Sequence, residues 1–178
     1  MGQSDFGQAV RDISAEVTEA LSQVEASQVH RLEEAVAAAR AIFLTGEGRS
    51  GFIARCFAMR LMHLGLRSYV VGETITPAAR REDLLIAISR SGETRVTVAQ
   101  AEAACALGRQ VVAVTASPRS SLAGLSGLQL LISGPSIQYG GSLFEQTALI
   151  TLDALALLLQ RRLGQTAADM DARHADRV

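Results

Sequence analysis

Apolar residues recur along the chain with two different spacings. Near the amino terminus, Val10, Ile13, Val17 and Leu21 follow one another at steps of three or four residues, which predicts one apolar face of a helix. Beyond residue 40, short runs rich in Val, Ile and Leu alternate with further helical stretches. Such runs are typical of strands that are buried on both faces of a sheet. The pattern therefore predicts strands and helices in alternation.

This alternation predicts the architecture. The predicted helices lie at 4–24, 27–39, 52–65, 94–108, 142–162 and 165–173. The predicted strands lie at 41–51, where the apolar run ends in a glycine turn, and at 66–72, 83–89, 110–115 and 128–133. Because parallel strands need crossover helices, we expect an α/β fold in three layers, with a five-stranded parallel sheet of flavodoxin-like order and helices on both faces. We predict residues 1–26 as an N-terminal helix and residues 27–178 as the domain itself.

The charge balance excludes several classes of function. All 17 basic residues are Arg and none is Lys, against 18 acidic residues, for a formal net charge of −1. A chain so close to neutral lacks the positive charge that non-specific nucleic-acid binding needs, and its 4% of aromatic residues offers no stacking platform for bases. Without Lys, neither Schiff-base catalysis nor a P-loop lysine is available. We expect no nucleic-acid partner.

The cysteines and histidines indicate neither disulfides nor a metal. Cys56 and Cys105 lie in apolar helical stretches, which predicts buried thiols in a reduced cytosol. His30, His63 and His174 are far apart and lack the spacing of metal ligands. The amino terminus does not read as a signal peptide, and the apolar runs are broken before the ~18 residues of a membrane span. The expectation is a cytoplasmic protein with no membrane contact and no metal.

Two loops follow strands at the sheet edge where ligands bind in folds of this type. The first, Gly46–Gly51, leaves the first strand and opens a helix, and it contains Gly48, Arg49 and Ser50. Glycines let a ligand approach the backbone closely, and a helix N-terminus offers free N–H groups. The spacing does not match the G-x-G-x-x-G pattern of dinucleotide-binding proteins. A tight turn that needs glycine for its backbone conformation is the alternative interpretation.

The second loop leaves the third predicted strand and also opens a helix. It contains Ser89, Arg90, Ser91, Gly92 and Thr94. Three hydroxyls and an arginine at a helix N-terminus can hold a phosphate-sized anion. The alternative is capping of the helix by Ser91 or Thr94, which accounts for one hydroxyl but not for three. Two such loops on neighbouring strands favour an anion site.

The motifs in these loops resemble those of the sugar isomerase (SIS) domain family. The pattern G-x-G-x-S-G follows the first strand, and S-x-S-G-x-T follows the third. More narrowly, the chain is similar over almost its whole length to the 6-phospho-3-hexuloisomerases. The segments that carry this resemblance are FAMRLMHLG at 57–65, YVVGETITP at 69–77, LLIAIS at 84–89, SLFEQ at 142–146 and RHA at 173–175.

The resemblance implies an isomerase that interconverts 3-hexulose 6-phosphate and fructose 6-phosphate through a cis-enediol. It implies Ser50, Ser89, Ser91 and Thr94 as phosphate-binding hydroxyls and Glu145 as the catalytic base. Since the reaction moves a carbonyl within one molecule, no redox cofactor is needed. The resemblance also implies a homotetramer in the ribulose monophosphate pathway, with possible functional coupling to the synthase that makes 3-hexulose 6-phosphate.

Four further residues complete the set of candidates. Gly48, Arg49 and Arg90 are predicted to bind the phosphate. Glu73, in the loop after the second strand, is predicted to contact sugar hydroxyls, and an ordinary loop residue is the alternative. The family more often has GAGRSG and SGSGET, so Glu47 and Arg90 are departures from its pattern. Its usual QPMG before SLFEQ is also replaced here, by QYGG at 138–141.

The two catalytic candidates have structural alternatives. Ser142 and Glu145 have the spacing of a capping box, in which the glutamate bonds back to the start of the helix. His63 lies ~18 Å along its helix from Gly51. It is therefore predicted either to complement the helix dipole or to move protons in a neighbouring subunit's site.

Two other functions fit the same anion site. One is an aldose–ketose isomerase of the arabinose 5-phosphate type, with a different reacting carbon. The other is a non-catalytic phosphosugar sensor, which the lack of a DNA-binding segment disfavours.

Overall fold

Helices and strands alternate as the hydrophobic pattern predicts, in a computed structural model that describes residues 3–174. In chain order the elements are α1 (Gln3–Ser22), α2 (Ala26–Ala38), β1 (Ile42–Gly46), α3 (Gly48–His63), β2 (Ser68–Val70), β3 (Leu84–Ile88), α4 (Arg95–Ala106), β4 (Gln110–Thr115), α5 (Ser121–Leu125), β5 (Leu128–Leu131), α6 (Ser142–Arg162) and α7 (Ala167–Asp171).

The strands form one parallel sheet in the order β2-β1-β3-β4-β5. The strand order changes direction at β1, which pairs with β2 on one side and with β3 on the other. Gly46 at the end of β1 is aligned with Ile88 at the end of β3. The predicted flavodoxin-like order is confirmed. The loops that follow β1 and β3 consequently leave neighbouring strands at the same edge of the sheet.

Apolar side chains pack on both faces of the sheet. On one face, α2, α3 and α6 bury residues such as Leu32, Phe57 and Leu152 against the strands. On the other, α4 and α5 pack through Ala101, Ala104 and Leu122, among others. The small alanines bring α4 close to the sheet. The three-layer sandwich is therefore confirmed.

Helix α1 packs outside this sandwich, on α6. Val17 and Ala20 of α1 are buried against Leu143 at the start of α6, with Ile13 and Leu21 beside them. These residues form a small apolar cluster of their own on the outside of the sandwich. The division into residues 1–26 and 27–178 stays a prediction.

Helix α3 starts four residues earlier than predicted. The helix begins at Gly48, which has a φ of +58°. Most of the loop predicted at 46–51 is therefore the first turn of α3. A Cβ atom on Gly51 would lie 2.6 Å from the carbonyl oxygen of Gly46. Glycine is therefore required where the end of β1 and the first turn of α3 pack against each other.

Strand β2 is shorter than predicted. The N–H of Leu66 still bonds to the carbonyl of Leu61, so the chain is completing the end of α3 where the strand was expected to begin. β2 pairs only with β1 and forms one edge of the sheet.

The prediction of two buried thiols is wrong for Cys56, which is exposed. Ile53, Ala54 and Phe57 face the core, and Cys56 lies on the opposite side of α3. Cys105 is half-buried, and its Sγ donates to the carbonyl of Leu125 at 3.2 Å. A mixed apolar stretch does not specify which helix face a cysteine occupies.

Helix α6 is by length and composition apolar enough to cross a membrane, although the sequence was expected to contain no such stretch. Half of its most apolar 18-residue window is buried within the protein. The apolar character of α6 is accounted for in part by this position, because the helix packs on α1, α2 and α3 and covers the sheet.

The contact between β1 and α3 gives a stability prediction. Gly51→Ala should lower the free energy of unfolding by about 1–3 kcal/mol, because the clash is with backbone. Gly124→Ala in α5 is the matched control, since a Cβ there meets nothing within 4 Å. It should stabilise the chain by up to about 1 kcal/mol. Urea denaturation measures both values, and equal stabilities for the two variants would contradict the prediction.

Candidate functional site

The candidate site lies at the carboxyl edge of the sheet, where three segments meet. The first is the start of α3 directly after β1, and the second is the loop 89–94 between β3 and α4. The third is the start of α6, whose Glu145 is paired with Arg49 of α3. Residues 96 positions apart in the sequence therefore share one site.

In the first segment, Arg49 and Ser50 point to different surroundings. Ser50 is buried, while the side chain of Arg49 is 63% exposed. The Arg49 guanidinium reaches across to α6, where its Nε donates to Oε2 of Glu145. Gly48 is the first residue of α3 and leaves the backbone open, since a Cβ there would meet nothing within 4 Å. Arg49, predicted as a phosphate ligand, is thus in contact with the candidate base.

In the second segment, hydroxyls lie close together at the tip of β3. Ser89 is buried, its Oγ accepts from the N–H of Gly92 at 3.1 Å, and it lies 3.0 Å from Oγ1 of Thr94. Thr94 is the N-cap of α4, yet its side chain accepts no hydrogen bond from the helix. Ser91 is exposed and accepts from the N–H of Glu93. Side-chain capping of α4 by Thr94 is therefore wrong.

Glu93 fixes the second segment to α5, a role that the sequence analysis missed. Its carboxylate accepts from the N–H of Ser121 at 2.8 Å and from the Ser121 hydroxyl at 2.7 Å. These two bonds lower the pKa of Glu93. The chain has no local signal for this contact, because the partners are 28 residues apart.

The capping-box interpretation of Glu145 is wrong. Gly141 is the N-cap of α6, and Ser142 is already helical, with its hydroxyl donating to the carbonyl of Tyr139 at 3.0 Å. Glu145 is one position too far along the helix to bond back to its start. Its carboxylate instead faces Arg49. Glu145 therefore does not cap its own helix.

Arg90 and Glu145 approach each other around Gly141. A Cβ on Gly141 would lie 3.1 Å from Cδ of Arg90 and 3.1 Å from Oε1 of Glu145. Only glycine fits between them without displacing a side chain. Within residues 3–174 the guanidinium of Arg90 has no hydrogen-bond or ion-pair partner, so its charge is available to a ligand. The glycine pair at 140–141 was the available signal for this close approach.

The arrangement can hold an anion beside a base. Hydroxyls of Ser89, Ser91 and Thr94 and the free N–H groups at the start of α4 offer donors, and Arg90 adds charge. The carboxylate of Glu145 lies across from them. Its side chain is only 13% exposed and is partnered by Arg49. Arg49 is thus paired with the carboxylate, and Arg90 is the cation left for an anion.

His63 lies away from these loops in the same chain. It is the last residue of α3, at the opposite end of the helix from Gly48. Its ring is buried and stacks on His174, with ring centroids 5.1 Å apart, and its carbonyl accepts from Arg173 at 2.9 Å. Burial lowers the pKa of His63, with smaller contributions from His174 and Arg60.

Glu73 is bound to α3 rather than to the two loops. Its Oε1 accepts from Nε of Arg55 at 3.0 Å and from Nη2 at 2.8 Å, and Arg55 also donates to the carbonyl of Gly51. About half of each side chain is exposed. Glu73 is therefore joined to the first turn of α3 through Arg55.

Among residues 3–174, no group of three or more His, Cys, Asp or Glu side chains is arranged to hold a metal ion.

The fold and this pair of loops define the class of protein. The family model for the SIS domain matches residues 36–158, so the chain belongs to the SIS domain family. This match spans β1 to α6 and includes both loops and Glu145.

Similar proteins of known sequence or structure indicate which group of the SIS domain family the chain resembles. The chain is 38% identical over 176 residues to the 3-hexulose-6-phosphate isomerase of Mycobacterium gastri, covering 94% of this chain and 87% of the relative. It is 35% identical over 177 residues to that of Bacillus subtilis, covering 94% and 96%. A Methanococcus jannaschii protein, whose crystal structure inferred the function of a 3-hexulose-6-phosphate isomerase, has 32% identity and a TM-score of 0.87, over 96% and 99% of the two chains. The chain is thus a phosphosugar isomerase, grouped with the 3-hexulose-6-phosphate isomerases, and the resemblance is confirmed.

Burial of His63 predicts a pH-dependent stability. An unfolded histidine takes up its proton near 6.5, whereas the folded ring does so at a lower pH. The unfolded chain therefore binds more protons below about pH 6.5, and stability falls as the pH decreases from 7 to 5. His63→Gln should remove a slope of up to about 1.4 kcal/mol per pH unit from this window.

Denaturation at several pH values measures this slope, with His30→Gln as the control. His30 is exposed on α2, so its variant removes a histidine without changing the core. An unchanged slope in His63→Gln would show that the buried ring does not couple protons to folding.

Proposed function

We propose that this chain interconverts 3-hexulose 6-phosphate and fructose 6-phosphate through a cis-enediol, as a step of the ribulose monophosphate pathway. The observation that carries the proposal is the position of the Glu145 carboxylate, which is paired with Arg49 of the first loop, lies beside Gly141 as does Arg90 of the second, and has no capping role. The relatives bearing the name 3-hexulose-6-phosphate isomerase support the same reaction. They favour it over aldose–ketose isomerisation and over a non-catalytic sensor.

The phosphate is held by the two loops. Ser50, Ser89, Ser91 and Thr94 donate hydroxyl hydrogen bonds, backbone N–H groups beyond Gly48 add further donors, and Arg90 supplies charge. The phosphate does not react. Its binding energy holds the carbon chain against the base, and such remote contacts raise the rate of the chemical step.

Glu145 moves the proton. Its carboxylate removes the proton from carbon 2 of 3-hexulose 6-phosphate, the carbon 2–carbon 3 enediol forms, and the proton returns to carbon 3. The hydroxyl proton on oxygen 2 passes to oxygen 3, so the carbonyl ends at carbon 2 and no electrons leave the substrate. Proton transfer by a positioned side chain is worth ~10²–10⁴ in rate. Arg49 orients the carboxylate and is a second cation within reach of the phosphate.

His63 and Glu73 have secondary roles in this proposal. His63 serves a neighbouring subunit's site as the group that relays the enediol proton, since it lies far from the loops of its own chain. Glu73 contacts sugar hydroxyls from its position beside the first turn of α3.

The proposal includes a cytoplasmic homotetramer. Apolar side chains remain exposed on the outer faces of two packed helices, with Phe52 and Met59 on α3 and Ile150 and Leu157 on α6. Burial of this surface between copies would stabilise an oligomer. The proposal also includes functional coupling to the synthase that makes 3-hexulose 6-phosphate, because the product of that enzyme is the substrate of this one.

Isotope exchange tests the reaction. In D₂O, fructose 6-phosphate incubated with the protein should gain deuterium at carbon 3, measured by NMR. Label at carbon 1 would indicate aldose–ketose chemistry instead. Glu145→Gln should lower exchange and turnover by ~10²–10⁴-fold while ligand binding persists. Glu102→Gln, at an exposed position of α4, is the control and should match the wild type.

A second test concerns the hydroxyls. Thr94→Val removes one donor to the phosphate, and a hydrogen bond to a charged group is worth ~1.5–3 kcal/mol, so KM should rise about 10- to 100-fold. Thr97→Val on the same helix is the matched control. Thr97 is fully buried and its hydroxyl has no partner among the described residues, so its loss should leave KM unchanged. Equal KM values for the two variants would remove Thr94 from the phosphate site.

A further inference from the structure

A single carboxylate on α1 holds the connection between β5 and α6. Oε1 of Glu16 accepts from the N–H of Ile137 at 2.6 Å, and Oε2 accepts from the Ser136 hydroxyl at 2.8 Å and from Nε2 of Gln138 at 3.0 Å. The hydroxyl of Ser136 in turn accepts from the N–H of Gln138. Three consecutive residues of the connection are therefore bound to one side chain that is about 120 positions away.

The hydrogen bonds continue from this connection into α6. Nε2 of Gln138 also donates to Oε1 of Gln146 at 3.0 Å. Gln146 directly follows Glu145 in the first turns of α6. A continuous path of side-chain hydrogen bonds thus leads from Glu16 to the residue next to the candidate base.

The connection has few other contacts to hold it. Residues 132–141 contain neither helix nor strand, and Ile137 and Tyr139 are 77% and 97% exposed, so their large side chains add little packing. By contrast α1 is well anchored, because Val17, next to Glu16, is buried against Leu143. The polar contacts of Glu16 consequently join a fixed helix to a segment that has little packing of its own.

We propose that Glu16 is a positioning residue for the isomerase, which sets the start of α6 and thereby the location of the Glu145 carboxylate. This inference rests on the proposed function of Glu145. Glu16 touches neither the two phosphate loops nor the reacting carbons, and it acts only through Gln138 and Gln146. The N–H of Ile137 and the amide of Gln138 are the main causes of its lowered pKa, so Glu16 is the charged acceptor that the three donors require.

The hydroxyls that bind the phosphate do not depend on this path. The hydroxyls of Ser89 and Thr94 are set by the end of β3 and the start of α4, and Glu93 fixes their loop to α5. A displacement of α6 should therefore change the proton-transfer step and leave phosphate binding nearly intact. Misplacement of a catalytic group by ~1 Å costs up to ~10²-fold in rate.

The test compares Glu16→Gln with a reciprocal double variant. In Glu16→Gln the new amide nitrogen faces the amide nitrogen of Gln138, donor against donor. We expect kcat to fall about tenfold with KM within about twofold of wild type. In Glu16→Gln with Gln138→Glu, the donor and acceptor exchange places, and the net charge is unchanged. The terminal amide of Gln146 turns by about 180° in this double variant, so that its nitrogen donates to the new carboxylate. This double variant should recover most of the lost kcat.

Glu19→Gln is the matched control, because Glu19 lies one turn further along α1 and its carboxylate accepts from Gln23, close by in the sequence, rather than from the connection. It removes the same charge and should keep the wild-type kcat. Amide hydrogen exchange of residues 133–141, measured by mass spectrometry, provides a second readout that needs no substrate. Exchange should be faster in Glu16→Gln and return towards wild type in the double variant.

The outcomes separate the two proposals. A wild-type protein that neither turns over nor labels fructose 6-phosphate overturns the proposed function, and the positioning role falls with it. Where the wild type is active, an unchanged kcat in Glu16→Gln overturns the positioning role alone. So does a loss of kcat that the double variant does not restore, or an exchange rate at 133–141 equal to that of Glu19→Gln.

Discussion

The close backbone contact between β1 and α3 is the constraint on which the site depends. Gly46 and Gly51 allow the strand end and the helix start to touch, and no side chain fits between them. Because this contact places the first turn of α3 at the tip of β1, Arg49 is directed towards α6. Its ion pair with Glu145 then joins α3 and α6, two of the three helices that cover one face of the sheet.

Two carboxylates of this site each have partners, an arginine in one case and hydrogen-bond donors in the other. Glu145 has Arg49, and Glu93 has the donors of Ser121, so neither carboxylate is left to repel an incoming anion without compensation. Arg90, whose guanidinium has no partner within residues 3–174, remains for the ligand. The departure from the family's usual glycine at this position thus adds a free positive charge where a phosphate is expected.

Sequence patterns were sufficient for the fold and for the position of the two candidate loops at one edge of the sheet. Alternating Val, Ile and Leu runs predict the strands because burial on both faces requires continuous apolar residues. Ser89 and Thr94 were predicted together because they lie in one loop, and they are in contact. The capping box predicted from the spacing of Ser142 and Glu145 is wrong, because the N-cap of α6 is Gly141. No local pattern specifies this shift of one residue. Cys56 was misassigned for a similar reason, since helix phase decides which face is exposed.

The sequence by itself determined the order of elements, the layers and the two loops that meet at one edge of the sheet, because these follow from local periodicity and from the handedness of parallel crossovers. Only the tertiary structure decided which partner each charged side chain takes. Arg49 reaches Glu145 across 96 positions, and Glu16 reaches Ile137 across 121. Local periodicity reports only on neighbours within a few residues, whereas these contacts depend on how separate helices pack on the same sheet.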